Sequence, residues 1–239
     1  LATRAYGTAD RQAGLQTTTR TLFQAASVSK PLTAFAAMRM VERGELALDH
    51  PVNAQLRRWK IPENAFTRDA PVTLAQLLSH TAGITVHGFM GYEKGQPLPG
   101  LMDILDGRPP ASSAPMRVDQ VPGSAWRYSG GGYTVAEVLM ADVAKREFVP
   151  LMDQQVLAPI AMHDSHFGAP VDASRTAAGV MPDGTDVPGR YKVHPESAAA
   201  ALWSTPADLA RFLIEVQRAL QGDSPLLKAT SAETMLREV

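Results

Sequence analysis

Gln24-Ala25-Ala26-Ser27-Val28-Ser29-Lys30-Pro31 is the stretch on which the fold turns. Ser27 and Lys30 stand three positions apart, so on a helix they share a face and come within hydrogen-bonding reach. A hydroxyl beside an amine is one way to make a serine nucleophilic without histidine. Pro31 sets the frame, because proline is tolerated in a first helical turn and costs about 3 kcal/mol in an interior. The helix is therefore expected to start near Ser27 or Val28, with Ser27 at its electropositive end, where developing negative charge is favoured. On spacing alone the pair also reads as a capping serine followed by a solvated lysine. The flank weighs against that. Residues 31–43 carry Leu32, Phe35, Ala36, Met38 and Met40 at apolar positions, and a polar pair at the mouth of a buried helix is costly unless hydrogen-bonded.

The chain of 239 residues is long enough for one large domain or two small ones. Its 45% apolar and 20% charged residues are those of a globular protein. A formal net charge of -1 argues against nucleic acid or an anionic membrane as partner, since either needs a basic face. No cysteine means no disulfide, thiolate nucleophile or Cys-based metal site. That leaves the compartment open, with a periplasmic or secreted location favoured over the cytoplasm. The longest wholly apolar run, residues 198–203, falls far short of a bilayer span. No signal peptide is visible, and both ends read as cut into the fold.

Residues 1–7 and 16–24 read as two short strands joined by a turn through Asp10 and Gly14. The helix of residues 31–43 should end at Gly44 in a left-handed cap. Thr73-Leu74-Ala75-Gln76 has capping-box spacing and opens a short helix ending near His80. Residues 88–114 read as a long loop with one helical turn, and 133–146 as a helix. Thr205-Pro206-Ala207-Asp208 opens another, with a cap, proline at the first position and an acid at the third; Leu209, Phe212, Leu213 and Val216 should form its buried stripe. Two strands cannot stand alone, so on this reading the sheet lacks its other strands.

The second constellation is Pro122-Gly123-Ser124-Ala125-Trp126-Arg127-Tyr128-Ser129-Gly130-Gly131-Gly132-Tyr133. Its glycines suggest a tight, backbone-exposed loop, and alone Tyr128 reads as a turn residue packing its ring. The run is no phosphate loop, lacking a following Lys-Ser/Thr. His163 and His166 have His-x-x-His spacing, but a turn near Gly168 fits better than a metal site. His80 reads as a buried, hydrogen-bonded framework residue rather than a catalytic base. No Gly-x-Ser-x-Gly elbow occurs, which argues against the α/β-hydrolase class.

Together, Ser27-Val28-Ser29-Lys30 and Tyr128-Ser129-Gly130 resemble the serine β-lactamase and penicillin-binding-protein superfamily, closest to the class C β-lactamase-like enzymes and their esterase relatives. Segments 44–52, 77–84 and 202–212 resemble framework segments of that family, in its order. The resemblance implies an α+β fold: a mainly antiparallel sheet flanked by helices, with an inserted all-helical domain and the site in the cleft. Residues 1–50 would begin the α/β domain, and 51–239 would form a mostly helical domain carrying the tyrosine motif. The family's C-terminal strands, with their third motif, have no counterpart here and on this resemblance are expected beyond Val239.

The resemblance implies a serine hydrolase: an esterase, β-lactamase or D-amino-acid peptidase that needs no cofactor and acts on a small ester, amide or β-lactam. Ser27 would attack an acyl carbon, its proton passing to a base within about 3 Å. Lys30 and Tyr128 are the candidates, acting as a coupled pair. The Ser27 amide would be one oxyanion donor, each such donor being worth about 3 kcal/mol; the second would come from the missing strand. Gly130 stands where the family's lactamases carry a substrate-binding Asn, which favours esters or small amides over β-lactams. The alternative is a non-catalytic penicillin-binding or sensor-type protein on the same fold.

Overall fold

A computed structural model describes residues 2–170 and 172–238. A hairpin of β1 (Thr8–Asp10) and β2 (Leu15–Gln16) turns at Gly14, whose φ of +65° is left-handed. Next come β3 (Phe23–Ala26), α1 (Ser29–Glu42), α2 (Leu74–Leu78), β4 (Tyr92–Glu93), α3 (Leu101–Asp106) and α4 (Gly130–Ala144). The rest is α5 (Phe148–Met152), β5 (His166–Phe167), β6 (Lys192–Val193), α6 (Ser197–Ala200), β7 (Leu202–Ser204), α7 (Pro206–Leu220) and α8 (Ala229–Leu236).

The sheet that carries the site is antiparallel, in the order β3-β7-β5. Two strands that the sequence reading missed, β7 and β5, thus lie within these residues, and β3 pairs with β7 on one side while standing at the edge of this sheet on the other. The partner, β7, begins at the end of the apolar run 198–203, whose residues are shared between the one-turn helix α6 and this strand. A strand buried on both faces shows no alternation, so periodicity alone could not identify it. The first strand is also misplaced in the sequence reading. Residues 2–6 form none, Leu1 lies outside the described residues, and the strand begins at Thr8. The second is broken between Gln16 and Phe23, where Thr18 N donates to Thr21 Oγ1 at 2.8 Å; such local bonds compete with a ladder.

α1 starts at Ser29, puts Pro31 in its first turn and stops before Gly44, whose φ is +71°. Leu32, Phe35, Ala36 and Met40 are fully buried, which makes α1 the central helix of the core. The Thr73 capping box and the Thr205 cap both form. On α7, Phe212 is buried, but Leu213 is 61% exposed and drops out of the expected stripe.

The three glycines are the main local surprise. They form the first turn of α4, buried and capped by Ser129 Oγ, which accepts from Gly132 N at 3.0 Å. Their use is close approach rather than an open loop. A Cβ on Gly131 would stand 2.6 Å from the Thr85 carbonyl oxygen, and one on Gly130 2.9 Å from the Phe89 ring. Among the described residues no helix is long and apolar enough to cross a membrane.

Candidate active site

Ser27 lies in the turn between β3 and α1. Ala26, just before it, has φ +45°, a left-handed conformation that non-glycine residues rarely adopt. Ser29 Oγ ties the turn by donating to Ala26 O at 2.6 Å and accepting from Leu202 N at 2.9 Å. The result is an exposed Ser27 side chain on a turn held from both sides.

Lys30 points back along the helix toward it and is only 6% exposed. Its Nζ donates to Ser27 Oγ at 3.1 Å and to Ala199 O at 2.9 Å. Two aromatic faces complete the enclosure, with Nζ 4.9 Å from the Tyr128 ring centre and 5.7 Å from that of Tyr133. A cation at such distances is attracted by the ring quadrupole. Lys30 therefore meets Tyr128 through the ring face, while its hydrogen bonds go to Ser27 and Ala199.

Tyr128 is held by stacking, with ring centres 4.4 Å from His80 and 4.9 Å from His87. His80 has φ +63° and accepts from Ser129 N on Nδ1 at 3.1 Å, so its imidazole braces the tyrosine segment. Burial, reinforced by the nearby Lys30 charge, pushes His80 down to about 4, leaving it neutral near pH 7. Tyr133 donates to Leu78 O at 2.9 Å, and burial raises its phenol well above the usual range.

Ser27, Lys30 and Tyr128 line one cavity of about 630 Å³, together with His80, Tyr133 and the apolar Pro31, Ala34, Met38, Leu48 and Leu78. Gly130 is not among its walls. It is buried behind Tyr128, and the direction its Cβ would take is filled by Phe89 and the His87 carbonyl. Sequence reasoning missed Ala199, because a backbone acceptor leaves no mark on residue type, and it missed Tyr133, whose ring reads as ordinary core. His166 lies in β5 and His163 is exposed. Among the described residues no three His, Cys, Asp or Glu gather as a metal site.

A buried lysine on a serine hydroxyl, faced by a tyrosine and set between a small antiparallel sheet and helices, defines the class, and comparison with known proteins names it. Residues 1–238 match the Beta-lactamase family, and the chain belongs to that family. Esterase EstB of Burkholderia gladioli is 34% identical over 224 residues, 85% of this chain and 54% of the relative. Among solved structures, EstCE1, a hydrolase with promiscuous acyltransferase activity, aligns at TM-score 0.71 and 26% identity, over 95% of this chain and 66% of that one. The D-amino acid amidase from Ochrobactrum anthropi SV3, complexed with D-phenylalanine, aligns at TM-score 0.75 and 20% identity, over 95% and 64%, and shares the fold. The chain spans about half the length of the curated relatives it matches.

Proposed function

We propose that the protein is a serine hydrolase that cleaves esters or small amides through an acyl-enzyme on Ser27. The observation that carries this reading is the 3.1 Å contact between Ser27 Oγ and the Nζ of Lys30, a lysine only 6% exposed. Taking up the serine proton requires the unprotonated form of this amine, which has two N–H donors and one lone pair. With one donor engaged by Ala199 O, the lone pair can take the Ser27 proton as Oγ attacks the acyl carbon. The Tyr128 ring and the Tyr133 ring then face the ammonium that forms. The leaving alcohol or amine takes the proton, and water resolves the ester. The similarity to an esterase and to a hydrolase with promiscuous acyltransferase activity supports this assignment. The position filled by Phe89 beside Gly130, where an amide-binding side chain would stand, supports esters and small amides over β-lactams.

The test is labelling and turnover in one experiment. A fluorophosphonate should add to Ser27, a short p-nitrophenyl ester should turn over, and Ser27→Ala should abolish both. Labelling at Ser29 or Ser129 instead would sink the assignment. Stable acylation of Ser27 without turnover would place the protein with non-catalytic penicillin-binding or sensor-type proteins.

A further inference from the structure

α6 is a single turn between α1 and α4, and its four residues are buried. On the α1 side, two of its carbonyls accept from the nucleophile helix: Ala199 O from Lys30 Nζ at 2.9 Å and Ala198 O from Thr33 Oγ1 at 3.2 Å. On the α4 side, Ala198 N donates to Glu137 Oε2 at 2.8 Å. The residue at the N-cap of α6, Glu196, makes no side-chain capping bond. A carboxyl from a different helix satisfies the orphan amide instead.

Glu137 is out of place by every local rule. It is 4% exposed, and its neighbours Val135, Ala136, Val138 and Leu139 are essentially fully buried apolar residues. An aliphatic side chain would suit such a position better unless the acceptor is needed. Burial, with Glu196 adding to it, pushes Glu137 up to about 8, so near neutrality it is largely the uncharged acid. It acts there as a hydrogen-bond acceptor rather than a counter-charge.

We propose that Glu137 is a positioning residue: through Ala198 N it fixes α6, so that the Ala199 carbonyl holds Lys30 Nζ against Ser27 Oγ. The inference rests on the Ser27–Lys30 reading of the site. Glu137 touches neither substrate nor nucleophile, and its effect passes through one turn of backbone. An amine displaced by about 1 Å from its serine loses on the order of a hundredfold in rate.

The experiment measures fluorophosphonate acylation and ester turnover per titrated Ser27, so that unfolded protein does not count. Glu137→Leu should lower kcat and the acylation rate roughly ten- to a hundredfold with KM little changed. Glu137→Gln keeps an acceptor of the same reach and should return the rate to within about threefold of the unsubstituted protein. If the leucine variant does not fold, Glu137→Asp, one methylene shorter, should show the same loss in kcat. An unchanged rate per site in the leucine or aspartate variant would overturn the proposal, as would a glutamine variant as slow as they are. Normal Ser27 labelling in the unsubstituted protein accompanies both of those results. Absence of that labelling would instead refute the hydrolase reading, and this proposal with it.

Discussion

Replacing Gly131 with alanine is the sharpest test of how the tyrosine segment is seated. In a helix the change removes glycine's entropic handicap and should stabilise by about 0.5–1 kcal/mol. Here the new Cβ would stand 2.6 Å from the Thr85 carbonyl oxygen and 3.2 Å from both Ile84 Cγ2 and Met116 Sδ. Two of these neighbours are side chains that can turn, but the carbonyl is backbone and already accepts from Ser129 Oγ at 3.0 Å. Relieving the clash means overpacking, at about 1–3 kcal/mol, and weakening a hydrogen bond worth about 1 kcal/mol. Set against the helix gain, the net loss is about 1–3 kcal/mol. Gly132→Ala is the internal control. Its Cβ would meet nothing nearer than the Leu77 carbonyl oxygen at 3.4 Å, so only the helix gain should remain. Urea unfolding reads both: the midpoint should fall for Gly131→Ala and hold or rise for Gly132→Ala, with m unchanged. A Gly131→Ala protein as stable as its parent would refute the close-approach account of the glycines.

Lys30→Ala and Tyr128→Phe should each impair Ser27 acylation, and the double variant should be little worse than the worse single one, because they work as a unit; near-normal acylation in Tyr128→Phe would leave Tyr128 as a wall of the cavity. Short acyl esters should exceed penicillins and cephalosporins in kcat/KM by roughly ten- to a hundredfold, and Gly130→Asn alone should not reverse the order, since Phe89 occupies the space; a higher kcat/KM for a β-lactam would contradict this. Stability should fall as pH rises from about 6.5 to 8. Burial raises Glu137 to about 8 and Glu196 to about 7, so the folded state keeps protons that the unfolded chain loses near pH 4.3, and their contribution is gone above about pH 8. His80, lowered to about 4, runs the other way but only below about pH 6.5. Urea midpoints at pH 6.5 and 8.5 measure the slope, which Glu137→Gln should flatten.

The elements set by side-chain chemistry were legible in the sequence. The Pro31 frame, the Thr73 capping box, the Thr205 cap and the stop at Gly44 each name a local hydrogen bond or a backbone angle that one residue type satisfies. The family was legible for a related reason, because Ser27, Lys30 and Tyr128 are types whose spacing encodes an arrangement. What could not be read was tertiary. β7 lacks alternation because both of its faces are covered. The glycines of α4 answer to Thr85 and Phe89, some forty residues distant in sequence. The Ala199 carbonyl would accept from Lys30 whatever side chain stood at that position. Leu213 repeats at helical spacing and is still exposed, because periodicity marks a stripe without fixing its width.

The long-range contact between Lys30 and the Ala199 carbonyl has a kinetic meaning. Lys30 and Ala199 are 169 residues apart in sequence, and β3 meets β7 over a similar span. Contacts that close such long loops form late, after local helices and hairpins have appeared. The serine and lysine can therefore be brought near each other locally, by the turn leading into α1 in which Lys30 N donates to Ser27 O at 3.1 Å, while the Ala199 carbonyl arrives only when distant chain docks. During refolding, helical signal should recover well before Ser27 becomes reactive toward an acylating probe. Reactivity would then be the last property the protein acquires, so partly folded chains would carry the nucleophile without being able to use it.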